Sequence, residues 1–556
     1  MLFAPSRLLV IGLTVCQIIG QQPAPVFRTG TRLVEVTVTV LDKKGNAVSG
    51  LGQTDFTILD ESKPRPVALF HFDGVPEPTS SSGSPVALPP GVFSNHLDTT
   101  GSSPRNITAL VLDTINTPPQ QSVVVRAQMM RYLTALAPQT RVAVFHMGQQ
   151  LRILHDFTDD AAALRAKLDK TVLGMPLAGL TDYRRSVVEA EAFVDMFAGD
   201  PAAQAAALGM ARNMLEVEGM SNAAIRRYRM ERTLAAMEAL GRHLAGIPGR
   251  KNLVWIGGGF SMMAITGNLG MGPHGTTENF ESKVRETSQR LAQEGIILYI
   301  VDSKGIELPS DTGASSRALV PPRGRGRFEA QMDSDAFSDD PRPAMGLMAA
   351  VTGGRYLHNT NDLTMGFKQT VKDMQASYTL GFYTPDDPDD KWHKLKIRVK
   401  GNGLNARYRE GYLADSAPAQ PVAWTAELWR TAFTNPVGST AIPLTAKCEV
   451  TASGELALML IADANALSFG TDGNNLKAEL EIAIADVAAD GSASTNRAVV
   501  TALVPAAKWE ETRKQGVTYQ RQWKPSADTS SLRVIVHDAR SGHYGSLDVP
   551  FNRLAR

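Results

Sequence analysis

The sequence predicts an α/β chain: a doubly wound sheet with helices on both faces, flanked by an N-terminal and a C-terminal β module. Three observations predict it. Between 106 and about 376, apolar runs of strand length alternate with segments of helical periodicity, the pattern of a sheet whose strands are joined by helices. Leu33, Glu35, Thr37 and Thr39 interleave with Val34, Val36, Val38 and Val40, a period of two over a full strand. From 422 onward, short alternating runs separated by turn residues recur, as in a β-sandwich.

Residues 1–20 stand apart from this plan. Arg7 precedes an apolar stretch, Leu8 to Gly20, that is too short to span a bilayer comfortably, the charged-then-apolar order of a secretory signal peptide. Cleavage after Gly20 fits except at Ile18, a large residue where a small one is usual; uncleaved, the segment is an N-terminal anchor. Either way the chain is expected outside the cytoplasm, as a periplasmic, envelope-associated or secreted protein. Removal of the segment leaves Cys448 alone, so no internal disulfide and no multi-cysteine metal site is expected. The alternation around Cys448 marks it as a small buried hydrophobe.

The N-terminal β module spans 31–72: the strand at 33–40, a turn at Asp42 to Asn46, a second strand at Phe56 to Leu59, a charged turn at Asp60 to Pro64, and Val67 to Phe70. Residues 74–104, rich in Pro, Ser and Gly, hold too few apolar residues to pack and read as a linker. In the central segment, 106–376, a strand at 108–113 leads to a helix near 119–137 on which Val125, Met129, Tyr132 and Leu136 recur at helical spacing. Thr117 and Pro118 suit its start. Further strands are expected at 141–146, 151–154, 252–256 and 296–301. Residues 183–246 form a long helical stretch whose Met230, Leu234, Met237 and Leu244 make a packing stripe. Residues 303–343, with the basic run from Pro321 to Arg327, read as a solvated loop. Strands at 378–383, 392–399 and 404–409 make a β extension over 377–413, and a linker at 416–421 separates it from the C-terminal sandwich at 422–556.

The 556 residues, 43% of them hydrophobic, can bury several cores. A net charge of +1 gives no reason to expect nucleic acid or an anionic surface as partner, and membrane contact is expected only through the N-terminal segment if it stays attached.

The segment Thr108-Ala-Leu-Val-Leu-Asp113-Thr-Ile-Asn-Thr117 ends a buried strand in a carboxylate and a cluster of hydroxyl and amide groups. In open α/β sheets, ligands bind beyond the carboxyl ends of such strands. A hard divalent cation wants several oxygen ligands, some uncharged; Asp113 and Thr117 offer two from one loop, and Thr181 with Asp182 offers a second hydroxyl-carboxylate pair. The same residue types serve equally as helix caps, so both readings stand at this point.

The order of pieces resembles a von Willebrand factor A-type domain, and more narrowly the acidobacterial VWFA-related family. The residues that carry the resemblance are Leu51 to Asp60, Leu112 to Pro118, Arg141 to Phe145, Gly249 to Phe260, Val301-Asp302, Thr352 to Tyr356, Asn361 to Leu363, Tyr378 to Tyr383, His393 to Lys396 and Tyr408 to Tyr412, covering about 33–413. The resemblance implies an extracytoplasmic protein with a Rossmann-like A domain, in a superfamily that mostly binds proteins or matrix through a metal-ion-dependent adhesion site. That site uses an Asp-x-Ser-x-Ser loop, a Thr on a second loop and an Asp on a third. Carried over, the first loop supplies Asp113 and Thr117, with Ile115 at its middle hydroxyl position; Thr181 fits the second, beside Asp182; the third reads Gly257-Gly258-Gly259, without a carboxylate.

The resulting expectation is an interaction or adhesion-type protein, not an enzyme, binding a protein, matrix or envelope partner through a degenerate site that holds Mg²⁺ or Ca²⁺ weakly or not at all. The alternatives are a metal-dependent hydrolase, against which stands the lack of a Gly-x-Ser-x-Gly or His-Glu-x-x-His motif, and carbohydrate binding by 422–556 through Trp424 or Trp429.

Overall fold

The computed structural model describes residues 33–74, 88–95, 106–117, 119–135, 141–170, 183–247, 249–260, 263–266, 276–303, 341–358, 373, 376–384, 389, 391–414, 423–435, 437–490 and 492–554. They form a mixed α/β structure with several sheets. The strands of the first part are β1 (Leu33–Leu41), β2 (Phe56–Asp60), β3 (Lys63–Arg65), β4 (Leu69–Gly74) and β5 (Val92–Ser94). Next come β6 (Asn106–Asp113), β7 (Arg141–Met147), β8 (Leu151–Thr158), β9 (Arg250–Gly257), β10 (Met263–Thr266), β11 (Thr276–Asn279), β12 (Ile296–Asp302) and β13 (Arg355–Leu357). Then follow β14 (Ala376–Tyr383), β15 (Trp392–Val399), β16 (Asn405–Arg407), β17 (Gly411–Leu413), β18 (Leu444–Val450) and β19 (Leu456–Ala462). The last are β20 (Gly470–Asp472), β21 (Asn475–Ala488), β22 (Ala493–Pro505), β23 (Val517–Trp523), β24 (Thr529–Asp538) and β25 (Tyr544–Pro550). The described helices are α1 (Pro119–Ala135), α2 (Ala161–Lys170), α3 (Tyr183–Asp195), α4 (Pro201–Ala245), α5 (Glu281–Gln293), α6 (Arg342–Thr352), α7 (Ala426–Thr434) and α8 (Trp509–Gln515).

The central sheet has the order β13-β12-β9-β6-β7-β8, parallel throughout except for β8, which runs antiparallel to β7. Its strands are near-continuous apolar runs because both faces are covered. On β6, Ile107, Ala109 and Val111 join a core with Met230, Leu234, Met237 and Leu244 of α4, Val284 and Leu291 of α5 and Met345 and Met348 of α6. Leu110 and Leu112 point the other way, against Val125, Met129 and Tyr132 of α1 and Leu164 and Leu168 of α2. Lys251, the second residue of β9, sets its ammonium on the carbonyls of Ala245 (3.2 Å) and Glu294 (2.7 Å), the last residue of α4 and the residue just after α5. A cation there completes carbonyls that the helices leave unpaired and favours their negative ends.

The strands β1 to β4 and β14 to β17, far apart in sequence, pair with each other. β1 lies between β14 and β16, β14 also pairs β4, and β15 lies between β2 and β17. Val34, Val36 and Val38 of β1, Ile58 of β2 and Tyr378, Leu380 and Phe382 of β14 share one core. This module meets α5 through Arg409, whose guanidinium donates to Ala292 O of that helix (2.7 Å) and to Glu35 O of β1 (2.9 Å). The Thr352-Gly-Gly run has a backbone reason. Gly353 closes α6 with φ of 76°, and a Cβ on Gly354 would sit 1.8 Å from Leu298 O.

Two further sheets, β23-β19-β18-β5 and β20-β21-β24-β25 with β22 beside β21, enclose a separate core that includes Cys448, Leu458, Leu460, Ile482, Ile484 and Val534. Within 74–104, read from composition as a linker, Val92–Ser94 is therefore an edge strand on β18, and Phe93 is 6% exposed. Two apolar residues suffice there because the sandwich supplies the rest of the core. Burial pushes the Cys448 thiol up to about 11, with Glu449 adding to the rise, which suits a packing role. The C-terminal sandwich meets the C-terminal end of α4, where Thr440 Oγ1 accepts from Gly246 N at 3.0 Å. Among the described residues, no helix is long and apolar enough to cross a membrane.

Candidate functional site

The parallel strands of the central sheet end level with one another: Asp113 on β6 lies opposite Met147 on β7, Leu112 opposite Ile256 on β9, and Asp302 on β12 opposite Gly257. The chain passes from β6 to β7 on one side and later returns to β9 on the other, so the strand order reverses between β6 and β9, the place where open α/β sheets bind ligands.

Asp113 stands at that strand end, fully buried. Its Oδ1 accepts from the backbone N–H of Asn116 (3.0 Å), a local turn that an aspartate readily makes. Its Oδ2 accepts from Asn116 Nδ2 (2.7 Å) and from the indole Nε1 of Trp255 on β9 (2.9 Å). Burial pushes the carboxyl up from its ordinary range, and the Asn116 and Trp255 hydrogen bonds oppose that rise without cancelling it. Thr117 Oγ1 donates to the Asp113 carbonyl and accepts from Gly258 N at 3.1 Å, stitching the loop after β6 to the loop after β9. A Cβ on Gly257 would lie 2.6 Å from the Asp113 Cβ, so glycine is what lets β9 approach the carboxylate this closely.

Around this centre, Thr114 Oγ1 and His146 Nε2 lie 2.8 Å apart, and Thr114 also donates to Met147 O. Burial first, and then the charges of Arg152 and Arg126, push His146 down, which keeps its ring neutral. On the far side of β9, Asp302 accepts from the Tyr356 hydroxyl at 2.8 Å, and Ser303 Oγ donates to Gln121 on α1 at 3.3 Å. One strand intervenes, so Asp302 stands roughly 10 Å from Asp113 by strand spacing.

Asp113 and Thr117 are thus brought together, whereas Thr181 and Asp182 lie outside the described residues. Ile115, at the middle hydroxyl position, is 2% exposed in the apolar core. No group of three His, Cys, Asp or Glu able to hold a metal occurs among the described residues. The donor set around Asp113 does not fit a hard cation, since its carboxylate oxygens and the Thr117 hydroxyl are directed to protein partners. Asn116 Nδ2 also donates to Thr233 Oγ1 of α4 at 2.8 Å, and the sequence alone assigned no role to Trp255, Thr233 or Asp302. Asp302 ends an apolar run just as Asp113 does, a signal that could have found it; nothing local marks Trp255 or Thr233. In the C-terminal part, Trp429 is buried and Trp424 half-buried, packed against His537 and Tyr544 with ring centroids 4.3 and 4.9 Å away.

No protein-family model matches the chain. No curated protein matches it. Among solved structures, it is similar to the conserved hypothetical protein BatB from Bacteroides thetaiotaomicron, at 11% identity and a TM-score of 0.23 over 48% of this chain and 96% of that one. It is also similar to an aerotolerance-related membrane protein from Bacteroides fragilis, at 9% identity and a TM-score of 0.25 over 48% and 98% of the two chains. Proximal thread matrix protein 1 from the mussel byssus matches at 11% identity and a TM-score of 0.22 over 50% of this chain and 47% of that one. Likenesses at this level support no functional statement about this chain.

Proposed function

We propose that this chain is an extracytoplasmic interaction protein in which residues 106–376 form a doubly wound, Rossmann-like domain of the von Willebrand factor A type. Its partner is a protein or a matrix or envelope component, held at the carboxyl ends of β6, β7, β9 and β12. The observation that supports this reading is the coincidence of two independent things at one place. The described parts of the motifs that carry the family resemblance, Leu112 to Thr117, Gly249 to Phe260 and Val301-Asp302, lie at the strand ends where the strand order reverses, which is where open α/β sheets bind ligands. The exposed turn Gln149-Gln150 after β7 borders the same end.

The test is binding of the purified mature chain to an envelope and extracellular extract, measured for wild type, Gln150→Arg, and Arg141→Glu at the opposite end of β7. Gln150→Arg is expected to weaken binding at least about tenfold with melting unchanged, while Arg141→Glu binds as wild type. Equal binding by all three would refute recognition at this face.

A further inference from the structure

We infer that the strand-end site is closed to divalent cations, and that the Asn116 side chain and the Trp255 indole occupy the coordination space around Asp113 that a cation would need. This inference concerns the site alone and stands whether or not a partner binds there.

A carboxylate has about four lone-pair positions. At Asp113, three are taken by N–H donors: Asn116 N on Oδ1, and Asn116 Nδ2 and Trp255 Nε1 together on Oδ2. These donors present the positive ends of their bonds to the oxygens, so a cation placed beside them would be repelled as well as crowded. The orientation of the Asn116 amide is determined by its surroundings. Its nitrogen also donates to Thr233 Oγ1 of α4 at 2.8 Å, and that hydroxyl sends its own hydrogen to Arg229 O at 2.8 Å. Both amide hydrogens therefore have acceptors, and a flipped amide would turn its oxygen onto the carboxylate.

The other approaches are blocked as well. Asp113 has no exposed surface, and Gly257 packs directly on its Cβ. Ile115, buried in the apolar core, brings no side-chain oxygen to the site. Thr117 is engaged on both sides, as donor to the Asp113 carbonyl and acceptor from Gly258 N. A partly hydrated ion would have to displace Trp255, which is 1% exposed, to reach Oδ2.

The experiment is calorimetric melting of the full chain in EDTA, in about 5 mM MgCl₂ and in about 5 mM CaCl₂, for wild type, Asp113→Asn and Asn116→Asp. Wild type is expected to melt within about 0.5 °C under all three conditions. Asn116→Asp removes the amide donor to Asp113 and Thr233 and sets a second acidic group against the first, and is expected to melt several degrees lower in EDTA. A wild-type rise of more than about 2 °C with either ion, lost in Asp113→Asn, would overturn the inference. So would an Asn116→Asp protein as stable as wild type in EDTA, because the Asn116 amide would then not be what occupies Asp113. If Asn116→Asp fails to fold, the comparison of wild type with Asp113→Asn still decides the matter.

Discussion

Asp60 is 1% exposed and is reached by three side chains: Arg65 through Nε (3.0 Å) and Nη2 (2.9 Å), His393 through Nδ1 (3.0 Å) and the Tyr412 hydroxyl (3.2 Å). His393 also bridges to Asp389 through Nε2 at 3.0 Å. Burial alone pushes His393 down, but the hydrogen bonds and charges of Asp60 and Asp389 outweigh it and hold its pKa above 6.5. The folded state therefore binds this proton more tightly than the unfolded chain. The contribution is fully present below pH 6.5 and fades as pH rises through the folded value. His393→Gln is expected to lower the urea midpoint most at acidic pH, with the gap to wild type narrowing above neutrality; a gap independent of pH would refute the charged bridge. Both residues sit in recognisable motifs, yet His393 and Asp60 are 333 positions apart, and no local pattern announces their pairing.

At the scale of elements, the long helical stretch is two helices. Gly199-Asp200-Pro201 breaks it: Asp200 accepts from Ala202 N (2.9 Å) and Ala203 N (3.2 Å), and Pro201 sits where its missing N–H costs nothing. That signal was local and legible. What the sequence did not reveal is the division of labour along the 45 residues of α4, about 67 Å of helix. Its second half packs on the sheet, whereas its first half is held by a small cluster of Ala207, Ala211 and Leu215 against Val187 and Val194 of α3. Asp200→Ala is expected to cost about 1 kcal/mol locally. Because so small a cluster anchors this half, the loss should appear as faster amide exchange over 201–215 with the global midpoint nearly unchanged. A global shift with unaltered exchange there would contradict it.

In the whole molecule, the chain closes on itself twice, when β1 and β2 pair with β14 and β15, and when β5 crosses to β18. Phe93→Ala is expected to destabilise the C-terminal sandwich by about 3 kcal/mol, followed in urea through Trp509 and Trp523 fluorescence. An unchanged midpoint would show that β5 contributes nothing to that core. The sequence by itself determined where the longer strands of the central sheet and its long helical stretch run, because periods of two and of 3.6 residues are written in neighbouring positions; the edge strand Val92–Ser94 was not among them. It also determined that Asp113 ends a buried strand. Only the tertiary structure decided what Asp113 does there. The groups that take up its carboxylate and orient Asn116 come from Trp255 and Thr233, 142 residues from Asp113 and 117 from Asn116, and packing of β9 and α4 around β6 is what brings them within hydrogen-bonding distance.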